Sequence, residues 1–341
     1  MKEELLKILC CPDTGEDLKL LIEEGNINQI IKGSFKSPNG NTFEIIDDIP
    51  YFSNVINHKG IRNQYETYSH WFEKMHKEES IINPSNEKIF YDSLRIDNHE
   101  FERKIVLDAG CGNGRFSYLV SKYNPKLLIS FDISKGLEKA KQAILKNNTD
   151  ANIAFIQGDI TNPPFKKESI DIVYSWGVTH HTPNTKKTVG SLSNIVKESG
   201  ILGIYVYAFN PPYHYDKQLL GLLAYLRSLF LIRPFRFICS RLPAQLVKLI
   251  FQPVFYIEKF LGFGVFGNHG YPDDPFNKDR YFRVVIDRFK TRYATEHTRE
   301  EVFKWFFDLN FNNLRAGKIK VSVTGTKNKD NKLDKKITIF D

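Results

Sequence analysis

VLDAGCGNGRF, residues 106–116, is the stretch of sequence that decides the fold. Apolar residues lead to Asp108, glycines follow at positions 110, 112 and 114, and a helical pattern begins directly beyond them. Glycine adopts positive φ at little cost and lets a ligand approach the backbone closely. The stretch therefore predicts a strand, a ligand-binding turn and a helix, in that order. A dinucleotide fingerprint would need glycine at position 115, and Arg115 therefore disfavours a nicotinamide-dependent oxidoreductase.

Strand and helix patterns alternate along the chain from residue 104 onward. Asp108, Asp132 and Asp159 close the first three predicted strands, and the fourth strand is IDIVYSWG. Such alternation is typical of a parallel sheet covered by helices on both faces, with ligands bound at the carboxyl ends of the strands. We therefore predict an α/β fold. Its parts are a Rossmann-like, doubly wound sheet of seven mostly parallel strands, a small N-terminal α+β module and a helical insertion.

The order of these motifs resembles that of class I S-adenosylmethionine-dependent methyltransferases, over roughly residues 100–210 and again over 298–326. The resemblance implies S-adenosyl-L-methionine as the cofactor. It implies that Asp108 serves the methionine end indirectly, that Asp132 accepts the ribose hydroxyls and that Asp159 lies near the adenine. The full set of cofactor-binding residues implied in this way is Asp108, Gly110, Cys111, Gly112, Asn113, Gly114, Asp132, Ile133, Asp159, Ile160, Ser175 and Trp176.

Two histidines, His180 and His181, follow the fourth strand, beside the place where the resemblance puts the transferable methyl group. A histidine can act as a general base because its pKa lies near the working pH. The alternative is that both side chains only shape the cofactor loop, since methyl transfer needs mainly proximity and alignment. Tyr213 and His214, beyond the fifth strand, are further catalytic candidates.

Residues 1–55 form a candidate module of their own. Cys11-Pro12 and the ending Asp47-Asp48-Ile49-Pro50 resemble the small zinc-ribbon-like activator subunit of tRNA methyltransferases. Thr14 stands where that family has its second cysteine, and no second cysteine pair follows. Tetrahedral zinc needs four nitrogen or sulfur ligands. We therefore expect no metal site and interpret this degenerate segment as a packing module.

Aromatic and apolar residues recur at spacings of three and four between residues 56 and 100, which predicts a helix. They are Tyr65, Tyr68, Trp71, Phe72 and Met75. The helix either packs its apolar stripe on the core or folds over the cofactor or substrate. Near the other end of the chain, Thr298 and Glu301 form a capping box ahead of an apolar helical run.

The least ordinary segment is 217–264, part of a predicted lid insertion. It carries seven Lys or Arg and a single acid, Glu258, interleaved with apolar residues. One interpretation is a helical lid over a substrate pocket. The other is a peripheral contact with an anionic membrane, and the two are compatible when the substrate is lipid-linked.

Length and composition set the remaining expectations. The chain has 341 residues, a net charge of +8 and four cysteines, with no recognisable signal peptide or spanning apolar stretch. We expect a cytoplasmic protein with reduced thiols, and leave a peripheral place at the inner membrane surface open. The predicted parts are the module 1–55, a helical cap or linker 56–103, a methyltransferase domain 104–326 with its lid 212–297, and a charged tail 327–341.

The predicted function is methyl transfer to a small-molecule or glycan- or lipid-linked acceptor, with oxygen as the leading hypothesis for the methylated atom. One alternative is a catalytically silent scaffold that binds a partner. Another is an RNA methyltransferase, but the basic insertion is heavily apolar and no RNA-binding motif is added, so nucleic acid is disfavoured as a partner.

Overall fold

The N-terminal residues form a small α+β unit. The computed structural model describes residues 3–52, 59–75, 80–208, 230, 232–261, 277–319, 321–328 and 337–339. The first elements are α1 (Glu3–Ile8), β1 (Lys19–Asn26), β2 (Gln29–Lys36), β3 (Thr42–Ile46) and β4 (Ile49–Pro50). The strands pair antiparallel in the order β1-β2-β3-β4. Asp47 and Asp48 both have positive φ in the turn between β3 and β4, and the Asp48 carboxylate accepts the Ile30 N–H at 2.7 Å.

Eight strands make the central sheet of the described chain. They are β5 (Ile105–Ala109), β6 (Leu127–Asp132), β7 (Ile153–Gln157), β8 (Ile170–Trp176), β9 (Val196–Tyr205), β10 (Phe311–Ala316), β11 (Ser322–Lys327) and β12 (Ile337–Ile339). Their order is β12-β10-β11-β9-β8-β5-β6-β7. The five strands from β7 to β9 are parallel, and β11 runs antiparallel to both of its neighbours. The predicted α/β class is confirmed.

Helices flank the sheet on both faces. They are α2 (Lys59–Met75), α3 (Ser85–Leu94), α4 (Arg115–Ser121), α5 (Gly136–Asn147) and α6 (Thr185–Ile195), with α10 (Arg299–Asp308) near the end of the chain. Strands β5 and β6, in the interior of the sheet, and β7, at its edge, are buried at every residue, as expected for parallel strands with both faces covered. Neighbouring residues of β5 face opposite sides of the sheet. Val106 packs with α3, α4 and α5, and Leu107 packs with α6 and α10.

Within the described residues, the sheet has one strand more than the seven predicted, and the additional strand lies in the segment 327–341 that was predicted as a charged tail. Strand β12 pairs parallel to β10, with Ile337 opposite Leu314. Its three residues follow a run rich in lysine, and so short a segment carries too little alternation to be recognised as a strand from sequence.

The N-terminal unit packs directly on the sheet. Leu5 and Phe35 belong to the same apolar cluster as Phe131 and Phe165, and the Cys10 N–H donates to the Pro164 carbonyl at 3.0 Å. Within the described residues, no group of three or more His, Cys, Asp or Glu side chains is placed to hold a metal ion. The zinc-ribbon-like character that the resemblance implied is not shown, and the unit is held by apolar packing.

The insertion has a core of its own. Its described elements are α7 (Arg233–Cys239), α8 (Ala244–Leu261), α9 (Lys278–Val285) and a π-helical turn, Ile286–Lys290. Phe251 and Phe255 of α8 pack against Phe289 and Tyr281, in a cluster separate from the two that line the sheet. In the described part of the chain, no helix is long and apolar enough to cross a membrane.

Candidate active site

Three glycines shape the loop that follows β5. Gly110, Gly112 and Gly114 have φ values of 92°, 57° and 83°, which L side chains rarely adopt. The Gly110 N–H donates to the Phe131 carbonyl at 2.7 Å and so ties the loop to β6. A Cβ atom on Gly110 would overlap the Val178 side chain. The predicted ligand-binding turn therefore lies at the carboxyl end of β5, and glycine is required there for both φ and space.

The Asp108 carboxyl lies beneath this loop rather than in it. It accepts the Ser117 hydroxyl at 2.7 Å, and Ser117 in turn accepts the Ser130 hydroxyl at 2.7 Å. Burial raises the pKa of Asp108 to about 7, although the Ser117 hydrogen bond works in the opposite direction. Because Ser117 belongs to α4 and Ser130 to β6, this carboxyl fixes the first turn of α4 against the sheet.

Asp132 connects the glycine loop to the end of β6. One carboxylate oxygen accepts the Gly112 N–H at 2.8 Å, and the other accepts the Ser134 N–H at 2.7 Å and the Ser134 hydroxyl at 2.6 Å. Burial raises its pKa. A carboxylate has about four acceptor positions, so Asp132 retains capacity for a further hydroxyl donor.

Helix α2 lies over the glycine loop. Its Phe72 ring occupies the space that a Cβ atom on Gly112 would need, and it lies 2.9 Å from the position of a Cβ on Gly136. The Ser69 hydroxyl accepts the Lys135 N–H at 3.1 Å, and Gln64 donates to the His181 carbonyl at 2.6 Å. Helix α2 therefore covers the glycine loop, and its role in covering a cofactor stays a prediction. A ligand that lies on Gly112 from this side must displace the Phe72 ring.

The two predicted catalytic histidines occupy a buried 3₁₀ turn, Thr179–His181, just after β8. His181 Nδ1 lies 3.0 Å from the Tyr293 carbonyl oxygen, and Nε2 lies 3.5 Å from Asp287 Oδ1. Burial lowers the pKa of His181 to about 4. The His180 ring packs on Tyr207, with centroids 3.8 Å apart, and neither of its nitrogens has a hydrogen-bond partner within the described residues.

Asp287 is the residue of this cluster that sequence reasoning missed. It lies on the π-helical turn of the insertion, is 7% exposed, and accepts the Tyr68 hydroxyl at 3.3 Å and the Tyr207 hydroxyl. Burial raises its pKa to about 7. The one sequence signal was an acid that follows the apolar run Val284-Val285-Ile286, and such an acid is also typical of an exposed helix position.

The other predicted cofactor residues mostly serve the backbone. Asp159 caps the turn after β7 by accepting the Thr161 N–H at 2.9 Å, and Ser175 donates to the Ala109 carbonyl at 2.7 Å. The Trp176 indole donates to the Ser93 hydroxyl at 2.9 Å, on the α3 side of the sheet. Cys111, Asn113 and Ile160 are buried, and Ile133 is half-buried. Tyr213 and His214 lie outside the described residues.

Comparison with known proteins agrees with the position of this loop. Residues 100–215 match the family model described as "Methyltransferase domain". A sterol 24-C-methyltransferase of Schizosaccharomyces pombe is 26% identical over 109 residues, and a protein arginine N-methyltransferase 1 of the same organism is 32% identical over 111 residues. These alignments cover 32% and 33% of this chain and 29% and 32% of the two relatives. The chain therefore spans about a third of the length of the relatives it matches.

A solved structure is also similar to part of this chain. An S-adenosylmethionine-dependent methyltransferase from Mesorhizobium loti superposes with a TM-score of 0.28 at 20% identity, over 31% of this chain and 47% of that one. The family match confirms the predicted methyltransferase domain and its cofactor class, S-adenosyl-L-methionine, for residues 100–215.

Proposed function

We propose that the protein is an S-adenosylmethionine-dependent methyltransferase that acts on a small-molecule or glycan- or lipid-linked acceptor, at oxygen. The observation that carries the proposal is the glycine loop at the end of β5, tied by the Gly112 N–H to the Asp132 carboxylate. This arrangement places a glycine backbone, without side chains of its own, beside an acidic acceptor for the hydroxyls of a ligand. The position of Asp132 on the strand next to β5 fits a nucleoside ribose.

The residues present fit the cofactor with one adjustment. Gly110 and Gly112 give the loop its positive-φ backbone, which carries no side chain toward a ligand, and Asp132 retains acceptor capacity. The Phe72 ring covers Gly112, so α2 must shift or the ring must rotate on binding. When bound, S-adenosylmethionine supplies an electrophilic methyl group. The chain contributes the binding loop, the covering helix and a buried polar cluster next to both.

We assign proton transfer to the pair formed by His181 and Asp287. The Tyr293 carbonyl can only accept, so His181 Nδ1 carries the hydrogen and the neutral ring leaves Nε2 as an acceptor. Nε2 faces Asp287 Oδ1, which is an acceptor when ionised. With Asp287 ionised, Nε2 and Oδ1 are both acceptors, so their contact is favourable only when one proton lies between them. The pair is therefore a place that takes up one proton, and an acceptor hydroxyl releases one proton when it is methylated.

The groups around this pair come from five segments, one of which is α7 with Arg236. Tyr68 approaches from α2, Tyr207 from the residues after β9, His180 from the 3₁₀ turn and Arg288 from the turn that carries Asp287. Burial favours the neutral form of the carboxyl, while the hydrogen bond from Tyr68 and the charge of Arg288 favour its ionised form. The balance places the pKa of Asp287 at about 7, where the pair can both accept and release a proton at neutral pH.

Calorimetric titration with S-adenosylmethionine and S-adenosylhomocysteine tests the cofactor site. We expect both ligands to bind the wild-type chain and Asp132→Ala to lose binding. Asp308→Ala is the matched control, because Asp308 forms an exposed ion pair with Lys186 away from the loop. Circular dichroism confirms that each variant is folded. A folded wild-type chain that binds neither ligand would favour the catalytically silent scaffold, for which the Phe72 ring over Gly112 is the supporting observation.

Nitrogen-15 histidine spectra test the proton pair without any acceptor. We expect His181 to carry its hydrogen on Nδ1, and Nε2 to report one titration near pH 7 that disappears in Asp287→Asn. His297 supplies an internal reference, because its partner is Glu301 rather than Asp287. Hydrogen on Nε2, or a titration that persists in the Asn variant, would contradict the assignment. Either result leaves the calorimetric test of the cofactor site untouched.

A further inference from the structure

Helix α8 has two apolar faces, and one of them is exposed. Val247, Phe251 and Phe255 point into the insertion core and are at most 3% exposed. The opposite stripe follows the spacings of three and four that define one side of a helix. It consists of Leu246, Leu249, Ile250, Tyr256, Ile257 and Phe260, with exposed fractions of 45%, 63%, 40%, 52%, 56% and 89%. A helix that covers a globular core normally has polar residues on that side.

Helix α7 and its approach extend the same surface. Phe230 is 72% exposed, and Phe237 and Ile238 are 63% and 56% exposed. Ten of the nineteen exposed large hydrophobic side chains in the described chain lie between Phe230 and Phe260. Such a concentration in about a tenth of the sequence marks an interaction surface rather than scattered surface residues. We call the exposed side chains of α7 and α8 the apolar face.

Basic side chains border the apolar face. Arg233, Arg241 and Lys259 are exposed, and the Arg241 guanidinium lies 3.6 Å from the centroid of the Phe237 ring. The one acid of α7 and α8 is Glu258, which is 4% exposed. The described surface of these two helices therefore combines cationic and aromatic groups and has no exposed carboxylate. Long basic side chains place their stems on apolar surface and their charges in the headgroup region of a bilayer.

We propose that the apolar face binds the surface of an anionic phospholipid membrane. Apolar side chains that reach between the headgroups, with bordering bases that attract anionic lipid, are the two contributions that such binding requires. A second copy of the chain fits this face less well, because a symmetric contact would place the basic border of one copy (Arg233, Arg241 and Lys259) against the same basic surface of the other.

The same helix links the apolar face to the buried polar cluster. The Phe251 ring on its inner side lies 4.7 Å from the Phe289 ring, and Phe289 is two residues beyond Asp287. Membrane contact on the outer side of α8 therefore acts on the element that carries Asp287. That the acceptor is a lipid or lipid-linked molecule rests on the proposed function, whereas the binding of the face to lipid does not.

Vesicle flotation of the full chain tests the proposal. We expect the wild-type protein to float with phosphatidylcholine vesicles that contain phosphatidylglycerol, to bind pure phosphatidylcholine about tenfold more weakly, and to be released by salt. The triple variant Leu249→Ser, Ile257→Ser, Phe260→Ser should lose binding by about tenfold or more. Its matched control is Ile22→Ser, Ile31→Ser, Ile46→Ser, three exposed apolar residues of the N-terminal sheet, which should bind like wild type.

Three results would overturn the proposal. One is no binding of the wild-type chain to the anionic vesicles, and another is equal binding of the two triple variants. The third is a wild-type dimer, seen by analytical ultracentrifugation, that the α8 triple variant abolishes, because this assigns the face to a second copy. Cofactor titration of the same variants should match wild type, so a failed membrane proposal is distinguishable from a failed enzyme proposal.

Discussion

The glycine loop and the insertion both border the buried histidine cluster, but they are built in different ways. In the loop, backbone geometry constrains three positions, because Gly110, Gly112 and Gly114 all have positive φ between the fully buried strand β5 and helix α4. In the insertion, helices bury one side in their own cluster and leave the apolar face exposed. The difference teaches that the loop is specified locally by residue type, whereas the insertion is specified by contacts between distant residues.

Removing a core side chain from the insertion should have the largest effect. Phe251 is 1% exposed and packs against Phe289, so we expect Phe251→Ala to cost about 3–5 kcal/mol of stability within the insertion. Hydrogen exchange should show faster exchange in α8 and α9, while S-adenosylhomocysteine binding at the loop is retained.

Leu249→Ala provides the control for this comparison. Leu249 lies on the same helix but is 63% exposed, so the change should be within about 0.5 kcal/mol of neutral. If Phe251→Ala instead speeds hydrogen exchange equally in β5 and β6, the insertion and the sheet unfold as one cooperative unit. That result would contradict a separate core for the insertion.

The buried carboxyl that joins the two regions should make stability depend on pH. The pKa of Asp287 is raised by burial to about 7 in the folded state and is near 3.9 when unfolded. A raised pKa means that the folded chain binds its proton more tightly, so this contribution is fully present below about pH 4 and is lost as pH rises through about 7. Asp287→Asn should therefore gain stability relative to wild type over that range, by about 2–4 kcal/mol.

Urea unfolding at about pH 5 and about pH 8 measures this difference. Asp108 has a similarly raised pKa, so the wild-type curve alone does not isolate Asp287 and the comparison with the variant is needed. A constant difference in the free energy of unfolding between wild type and Asp287→Asn at both pH values would contradict the prediction.

A side chain in the glycine loop should strongly weaken ligand binding without unfolding the domain. In Gly110→Ala, the added Cβ overlaps Val178 and the residue keeps a φ of 92°, which costs about 1–3 kcal/mol. The displaced loop should weaken S-adenosylhomocysteine binding by on the order of 100-fold. Gly190→Ala in α6 is the matched control, because no atom lies within 4 Å of its added Cβ, and it should stabilise the helix by about 1 kcal/mol. Equal binding by the two variants would show that the loop does not contact the ligand.

These contrasts also explain how far the sequence could be interpreted. The glycine loop and the capping box at Thr298 were predicted because each depends on residues within a few positions of one another. The Asp287 cluster joins α2, the 3₁₀ turn and the insertion, with partners 80 to 219 positions apart, and no local pattern encodes that contact. The position of Phe72 over Gly112 depends on tertiary packing in the same way, because its helical spacing alone gives no partner.

The smallest expected effect concerns the helix that returns the chain from the insertion to the sheet. Thr298 accepts the Glu301 N–H at the start of α10 and Asn184 accepts the Lys187 N–H at the start of α6, so each is an N-cap. Replacing either by alanine should cost about 1 kcal/mol in thermal or urea unfolding. The two costs should agree, because both helices pack in the same sheet cluster. A much larger cost for Thr298→Ala would mean that α10 also supports the insertion. Helix α10 would then belong to the insertion rather than to the sheet.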